Sequence, residues 1–193
     1  AMPLVVNGVL YTSTPLNLVF ALDAVTGREL WRFDPKVYTS NVWYGLLSRG
    51  VSYWEQGEDR RILFGTADSW LYALDAATGL PIPTFGDSGR VDLASAGFDR
   101  PVRRSWISTL SPPVICRDAV VVGSSLPDWA GMFRKDGERR APPGDVRAFD
   151  VRTGQLLWTF HTIPHEGEFG RQTWEQDSGR IAGGANVWTM MSA

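Results

Sequence analysis

A short pattern that occurs three times constrains this chain more than any other feature. Residues 21–31 read ALDAVTGRELW, residues 73–83 ALDAATGLPIP, and residues 148–158 AFDVRTGQLLW. Asp23, Asp75 and Asp150 open the copies, and Thr26-Gly27, Thr78-Gly79 and Thr153-Gly154 close the turns. Trp31 and Trp158 end the first and third copies, with Pro83 standing in the same place in the second. The physics of the unit is readable. An aspartate can accept from the backbone N–H groups of its own turn, and glycine supplies a positive φ that other residues adopt only at a cost. A Trp four residues beyond the glycine starts the next strand and can lay its ring on a neighbouring unit.

Upstream of each copy lie two apolar or alternating runs separated by a turn. They are Leu4 to Val6 and Val9 to Thr12 around Asn7-Gly8, Ile62 to Phe64 and Trp70 to Leu74 around Asp68-Ser69, and Val114-Ile115 and Ala119 to Val122 around Arg117-Asp118. Asn-Gly is the best hairpin signal of the three. Each unit thus reads as four short strands with the motif turn joining the last two, which is a propeller blade. Nine Trp, twenty Gly and twelve Pro suit short strands punctuated by turns. Asp23 and Asp75 lie 52 residues apart and Asp75 and Asp150 75 apart, so an insertion of about twenty residues is expected, at 86–106 or 126–143. A further strand is expected to begin at Asn186-Val187-Trp188. The expected fold is all-β: one partial β-propeller domain over 1–193, with about three four-stranded blades and the start of a fourth. Open blade edges are exposed in such a piece, so self-association is expected.

Composition removes several function classes. A net charge of −2 offers no basic face to nucleic acid or acidic lipid. Cys116 is the only cysteine, which excludes an intrachain disulfide and a cysteine zinc site. His161 and His165 are the only histidines, which leaves little for a histidine metal cluster. No apolar run is long enough for a membrane helix. The N-terminus runs straight into a strand-like segment, so the protein is either cytoplasmic or relieved of a leader. Gly86-Asp87-Ser88-Gly89 looks superficially like a serine-nucleophile loop, but the pattern places no base beside it. The run Arg134 to Arg140 is mixed in sign and reads as a solvated loop.

The three copies resemble the tryptophan-docking repeats of the PQQ-dependent (quinoprotein) dehydrogenases, whose propellers have eight blades. Longer strings carry the resemblance further: Arg49-Gly50-Val51-Ser52-Tyr53-Trp54, Ser111-Pro112-Pro113, Val122-Gly123-Ser124-Ser125 and Gly144 to Asp150. Trp158 to Pro164 and Gly183-Gly184-Ala185-Asn186-Val187-Trp188 extend it to essentially the whole chain, closest to the glucose and alcohol dehydrogenase branches. The resemblance implies a pyrroloquinoline quinone (PQQ) and Ca2+ site. Arg49 matches the arginine that pairs with the acidic quinone, Ser125 a cofactor contact, Asn186 an adjacent contact, and Trp188 the indole that stacks on one quinone face. Asp128 matches an acidic calcium ligand, apt for a hard cation that takes oxygen donors. An alcohol or sugar substrate, a quinone or cytochrome c electron acceptor and a periplasmic location follow from the same resemblance. It also implies that the catalytic aspartate, an asparagine calcium ligand and a basic residue near the quinone oxygens lie beyond residue 193, so that this piece alone is inactive.

The chain departs from the family pattern in places. Trp43 and Tyr44 stand where the alcohol branch has two adjacent cysteines covering the second quinone face, and Gly45 where the glucose branch has a histidine. Leu110, with Thr109 beside it, occupies a threonine position. Other readings stand beside these assignments. Trp188 can be a blade-packing indole like Trp31 and Trp158, Arg49 a blade-bridging arginine, Asp128 a solvated or capping turn residue, and Ser125 a bonder of backbone. His161 and His165 read as part of a blade-connecting loop near the cofactor entrance at most. A non-catalytic propeller that uses the repeats as an interaction scaffold is the alternative from another class, and a family member that has lost its cofactor is a third.

Overall fold

A computed structural model of the chain describes residues 1–37, 47–126, 142–175 and 178–193. Twelve strands form three antiparallel four-stranded sheets, each built in sequence order. Blade 1 holds β1 (Leu4–Val6), β2 (Val9–Ser13), β3 (Val19–Asp23) and β4 (Glu29–Phe33). Blade 2 holds β5 (Ser52–Gln56), β6 (Asp59–Gly65), β7 (Trp70–Asp75) and β8 (Arg90–Asp92). Blade 3 holds β9 (Val114–Cys116), β10 (Ala119–Val122), β11 (Val146–Asp150) and β12 (Leu156–Phe160). The only α-helix among the described residues is α1 (Ser178–Ile181). These are the three four-stranded blades expected from the repeats.

Each motif copy folds into the same turn at the end of the third strand of its blade. Asp23 Oδ1 accepts from Val25 N (3.0 Å), Thr26 N (2.7 Å) and Thr26 Oγ1 (2.8 Å). Asp75 and Asp150 accept from the corresponding atoms of Ala77 and Thr78, and of Arg152 and Thr153, at 2.7–3.1 Å. Gly27, Gly79 and Gly154 have φ of 73°, 73° and 72°, the left-handed conformation that this turn demands.

Alternation with period two decides how the blades stack. In the middle blade, Ile62, Phe64, Tyr72 and Leu74 enter one core with Tyr11, Val19, Ala21 and Trp31 of blade 1. Their sequence neighbours Leu63, Leu71 and Ala73 enter a second core with Val120, Val122, Phe149 and Val151 of blade 3. Both faces of blade 2 are therefore covered. Blade 3 packs one face on blade 2, and Leu156, Leu157, Trp158 and Phe160 of β12 are exposed among the described residues.

The structure refines the strand reading at blade 2. The runs Ile62 to Phe64 and Trp70 to Leu74 belong to its second and third strands, and its first strand is β5. Its fourth strand is interrupted: Leu74 makes an antiparallel bridge with Pro81, the chain leaves the sheet, and β8 then completes the pairing with β7. Proline at 81 and 83 explains the break, because it lacks the N–H that a ladder needs. The segment 86–106 thus contains a blade strand, while most of 126–143 lies outside the described residues. Asn186 to Trp188 have no strand pairing and run as extended chain across blade 3.

Candidate functional site

The candidate site lies where the first strands of the three blades begin. Arg49 stands three residues before β5, and its backbone is fixed from two directions. Its N–H donates to Leu110 O at 2.8 Å, and its carbonyl accepts from Met2 N at 2.7 Å. Gly50 has φ of 144° and sits so close to blade 1 that a Cβ there would lie 2.9 Å from Met2 O. Only glycine allows this approach, and it aims the Arg49 side chain. Ser111, just before β9, comes from the third blade.

Two other glycines seat the segment that carries Asn186 and Trp188. A Cβ on Gly123 would fall 2.0 Å from Val187 O, and one on Gly144 2.0 Å from Gly184 O. Gly184 N donates to Pro142 O at 3.0 Å, and Asn186 Nδ2 donates to Ser124 O at 2.8 Å. The strings Gly123-Ser124-Ser125, Gly144-Asp145 and Gly183 to Trp188, far apart in sequence, are thus one packed unit.

Arg49, Ser111 and Trp188 converge. Ser111 Oγ donates to Trp188 O at 2.8 Å, Arg49 Nη1 reaches Trp188 O at 3.4 Å and Ser111 Oγ at 3.5 Å, and the guanidinium carbon stands 5.0 Å from the centre of the indole. The indole is half exposed, so it is not a buried blade-packing residue like Trp31. Thr109, Leu110, Ser111, Gly123, Ser124 and Trp188 line a narrow cleft here, whose accessible volume of about 10 Å³ is room for about one water. Thr109 Oγ1 and Ser124 Oγ are buried and have no hydrogen-bond partner among the described residues. A buried unpaired hydroxyl costs about 1–3 kcal/mol, and a bound polar group removes that cost.

Not every expected residue joins this group. Ser125 is buried, and its backbone pairs with Ser108 in both directions, at 2.7 and 3.0 Å, which holds the neighbouring Ser124 at the cleft. Leu110 packs with Val37 and Ala67, so the hydroxyl at this point comes from Thr109. Asp128, Trp43, Tyr44, Gly45 and the run Arg134 to Arg140 lie outside the described residues. Thr109 stands beside the threonine position that Leu110 occupies, whereas nothing in the sequence singles out the Ser124 hydroxyl, and what marks both in the structure is the absence of a partner among the described residues.

The histidines lie in the loop that follows β12, as expected. His161 and His165 stack with ring centres 3.6 Å apart, and with Glu168 they bring three metal-capable groups together.

Known proteins share both the sequence and the fold of this chain. All of it, residues 1–193, matches the PQQ family described as glucose/ethanol/alcohol dehydrogenase, beta-propeller domain. The chain belongs to this family. Among relatives of the PQQ dehydrogenase family, the quinoprotein glucose dehydrogenase of Escherichia coli (strain K12) is 32% identical over 82% of the chain and 20% of its own length. The quinohemoprotein alcohol dehydrogenase ADH IIB of Pseudomonas putida is 30% identical over 100% of the chain and 26% of its own length. A solved quinohemoprotein alcohol dehydrogenase, ADHIIG of Pseudomonas putida HK5, superimposes with a TM-score of 0.60 at 27% identity, covering 84% of the chain and 20% of the solved chain. The chain spans about a fifth to a quarter of the length of these family members.

Proposed function

We propose that this chain supplies one wall of the cofactor site of a PQQ- and calcium-dependent dehydrogenase that oxidises an alcohol or sugar hydroxyl. The observation that carries the proposal is the convergence of Arg49, Ser111 and Trp188, from three separate stretches of chain, beside the two unpartnered hydroxyls of Thr109 and Ser124. A planar polycarboxylate is the ligand this set of groups suits. A guanidinium pairs with a carboxylate bidentately, the hydroxyls donate to carboxylate or carbonyl oxygens, and the indole offers an aromatic face. Asp128 and Asn186 are proposed as a calcium ligand and an adjacent contact, and Ser125 as the residue that sets the register of Ser124.

The chemistry supplied by the bound group is hydride acceptance by a quinone whose carbonyl a calcium ion polarises. The residues of this chain bind and orient. Arg49 is held over the Trp188 indole, and the closed cleft has room for about one water, far less than the roughly 300–1,000 Å³ usual for a ligand pocket. Binding therefore requires Arg49 to leave the indole face and pair with the ligand. The proposed electron acceptor of the whole protein is a quinone or cytochrome c, and its proposed location is the periplasm.

Equilibrium dialysis of PQQ against the chain tests the role of Arg49. Arg49→Ala should weaken binding about 10- to 100-fold, in line with the 1.5–3 kcal/mol of a charge-assisted hydrogen bond. Arg49→Lys should restore part of it, because a lysine keeps the charge without the planar fork. Unchanged binding in Arg49→Ala contradicts the assignment.

A further inference from the structure

The loop that follows β12 carries a cluster unrelated to the cleft. His161 is the first residue after the strand, and Ile163 anchors the loop in the interior. Successive turns then bend the chain back: Glu168 N donates to His165 O at 3.0 Å and Arg171 N to Glu168 O at 3.2 Å. The turns bring the Glu168 carboxylate over both histidines. Glu168 Oε1 lies 2.8 Å from His161 Nδ1, and Oε2 accepts from the His165 backbone N–H at 2.7 Å. One ligand atom from each of His161, His165 and Glu168 lies within 4.8 Å of the others.

Two further carboxylates face this group. Asp99 Oδ2 stands 3.5 Å from His165 Nε2, and Arg100 shares Asp99 at 3.3 Å. Asp145 is 2% exposed and accepts at Oδ1 from the N–H of Thr162, next to His161. Its Oδ2 has no hydrogen-bond partner among the described residues.

We propose that His161, His165 and Glu168 form a binding site for a divalent transition-metal ion of the zinc class, with Asp99 as the positioning residue for His165. Two imidazoles and one carboxylate are the donors that a borderline ion takes, with a fourth position left to water. Tetrahedral bonds of about 2.1 Å hold ligand atoms about 3.4 Å apart. The two rings are stacked with planes 18° apart, so the cluster reaches this when the rings turn their nitrogens toward one point and the His161–Glu168 contact opens. Calcium prefers an all-oxygen shell and is discriminated against here. A carboxylate behind a metal-bound imidazole fixes the orientation of the ring. The ion pins the loop between β12 and the segment that carries Trp188, and this role is independent of the PQQ proposal.

The test is calorimetric titration of the tag-free, chelator-stripped chain with Zn2+, and titration with Co2+ followed by visible absorption. The expected result is a single saturable site with a tetrahedral Co2+ spectrum, unaffected by excess Ca2+. His161→Ala and His165→Ala should each weaken Zn2+ binding about 100-fold or more, and Asp99→Asn about 10-fold. Glu168→Gln keeps the size and an acceptor oxygen, so it answers the question if a histidine variant fails to fold; it should weaken Zn2+ binding at least about 10-fold. Failure of the folded chain to bind Zn2+, or undiminished binding in Glu168→Gln or in the histidine variants, overturns the proposal. Neither result bears on PQQ binding at the cleft.

Discussion

Trp31 and Gly79 together show how a single residue pair joins two blades. The Trp31 indole N–H donates to Ala76 O at 3.0 Å, the Tyr11 hydroxyl donates to the same carbonyl at 3.1 Å, and a Cβ on Gly79 would lie 2.5 Å from the indole ring. Gly27 has the same φ of 73° but nothing within 4 Å, so the two glycines separate backbone strain from docking. Gly27→Ala should cost about 1 kcal/mol, from the left-handed conformation alone. Gly79→Ala should cost about 1–3 kcal/mol more, because the added methyl forces the indole off its seat. Urea unfolding of the two variants measures the difference; equal losses would show that the indole yields freely. The motif marked both glycines in the sequence, but only packing tells which one bears a ring. The same holds at the cleft. The strings singled out Arg49 and Trp188 as candidates, and the sequence named Thr109 only as the neighbour of Leu110, whereas Ser124 became visible only as a buried hydroxyl without a partner among the described residues.

At the scale of elements, the motif turn is the unit that the repeats encode most directly. Its Asp, Thr and Gly contacts lie within a few residues of one another, so local chemistry is enough to read it. Long-range substitutions were harder to read. Where Pro83 replaces the expected tryptophan, the second blade joint uses other donors: Arg61 Nη1 bonds Val151 O at 3.1 Å and Arg152 O at 2.8 Å, and Gly86 N bonds Thr153 O at 2.8 Å. No local pattern announces that an arginine two strands earlier takes over from an indole. The turn also predicts a pH response. Slight burial pushes the Asp150 carboxyl up, but the N–H and hydroxyl of Thr153 and the N–H of Arg152 outweigh it and hold the carboxyl below the usual range. A depressed pKa stabilises the fold above the unfolded value, and the benefit is lost as pH falls through the folded one. Thermal stability should therefore drop on acidification below about pH 4, the ordinary carboxylate range. The drop should be smaller in Asp150→Asn, followed by circular dichroism; an identical acid response in the variant contradicts this account.

Over the whole molecule, three blades share two cores, and the candidate cleft depends on all of them. Blade 1 fixes the Arg49 backbone through Met2, blade 2 begins beside Arg49, and blade 3 supplies Ser111, Gly123 and Ser124 with the segment bearing Trp188. Leu156, Leu157, Trp158 and Phe160 of β12 are exposed among the described residues, and the self-association expected from the sequence would rest on them. Blade number and order were legible because a repeat declares itself, whereas Arg49 and Trp188 were placed in one candidate site only through family resemblance and Ser111 joined them only in the structure, since no spacing rule connects three loops. The central claim is that this convergence binds the quinone cofactor. The most direct measurement is a titration of the folded chain with PQQ, with and without Ca2+, following tryptophan fluorescence. The account predicts saturable quenching that requires Ca2+ and is lost in Trp188→Ala. A chain shown to be folded that gives no quenching, or the same quenching in Trp188→Ala, contradicts it.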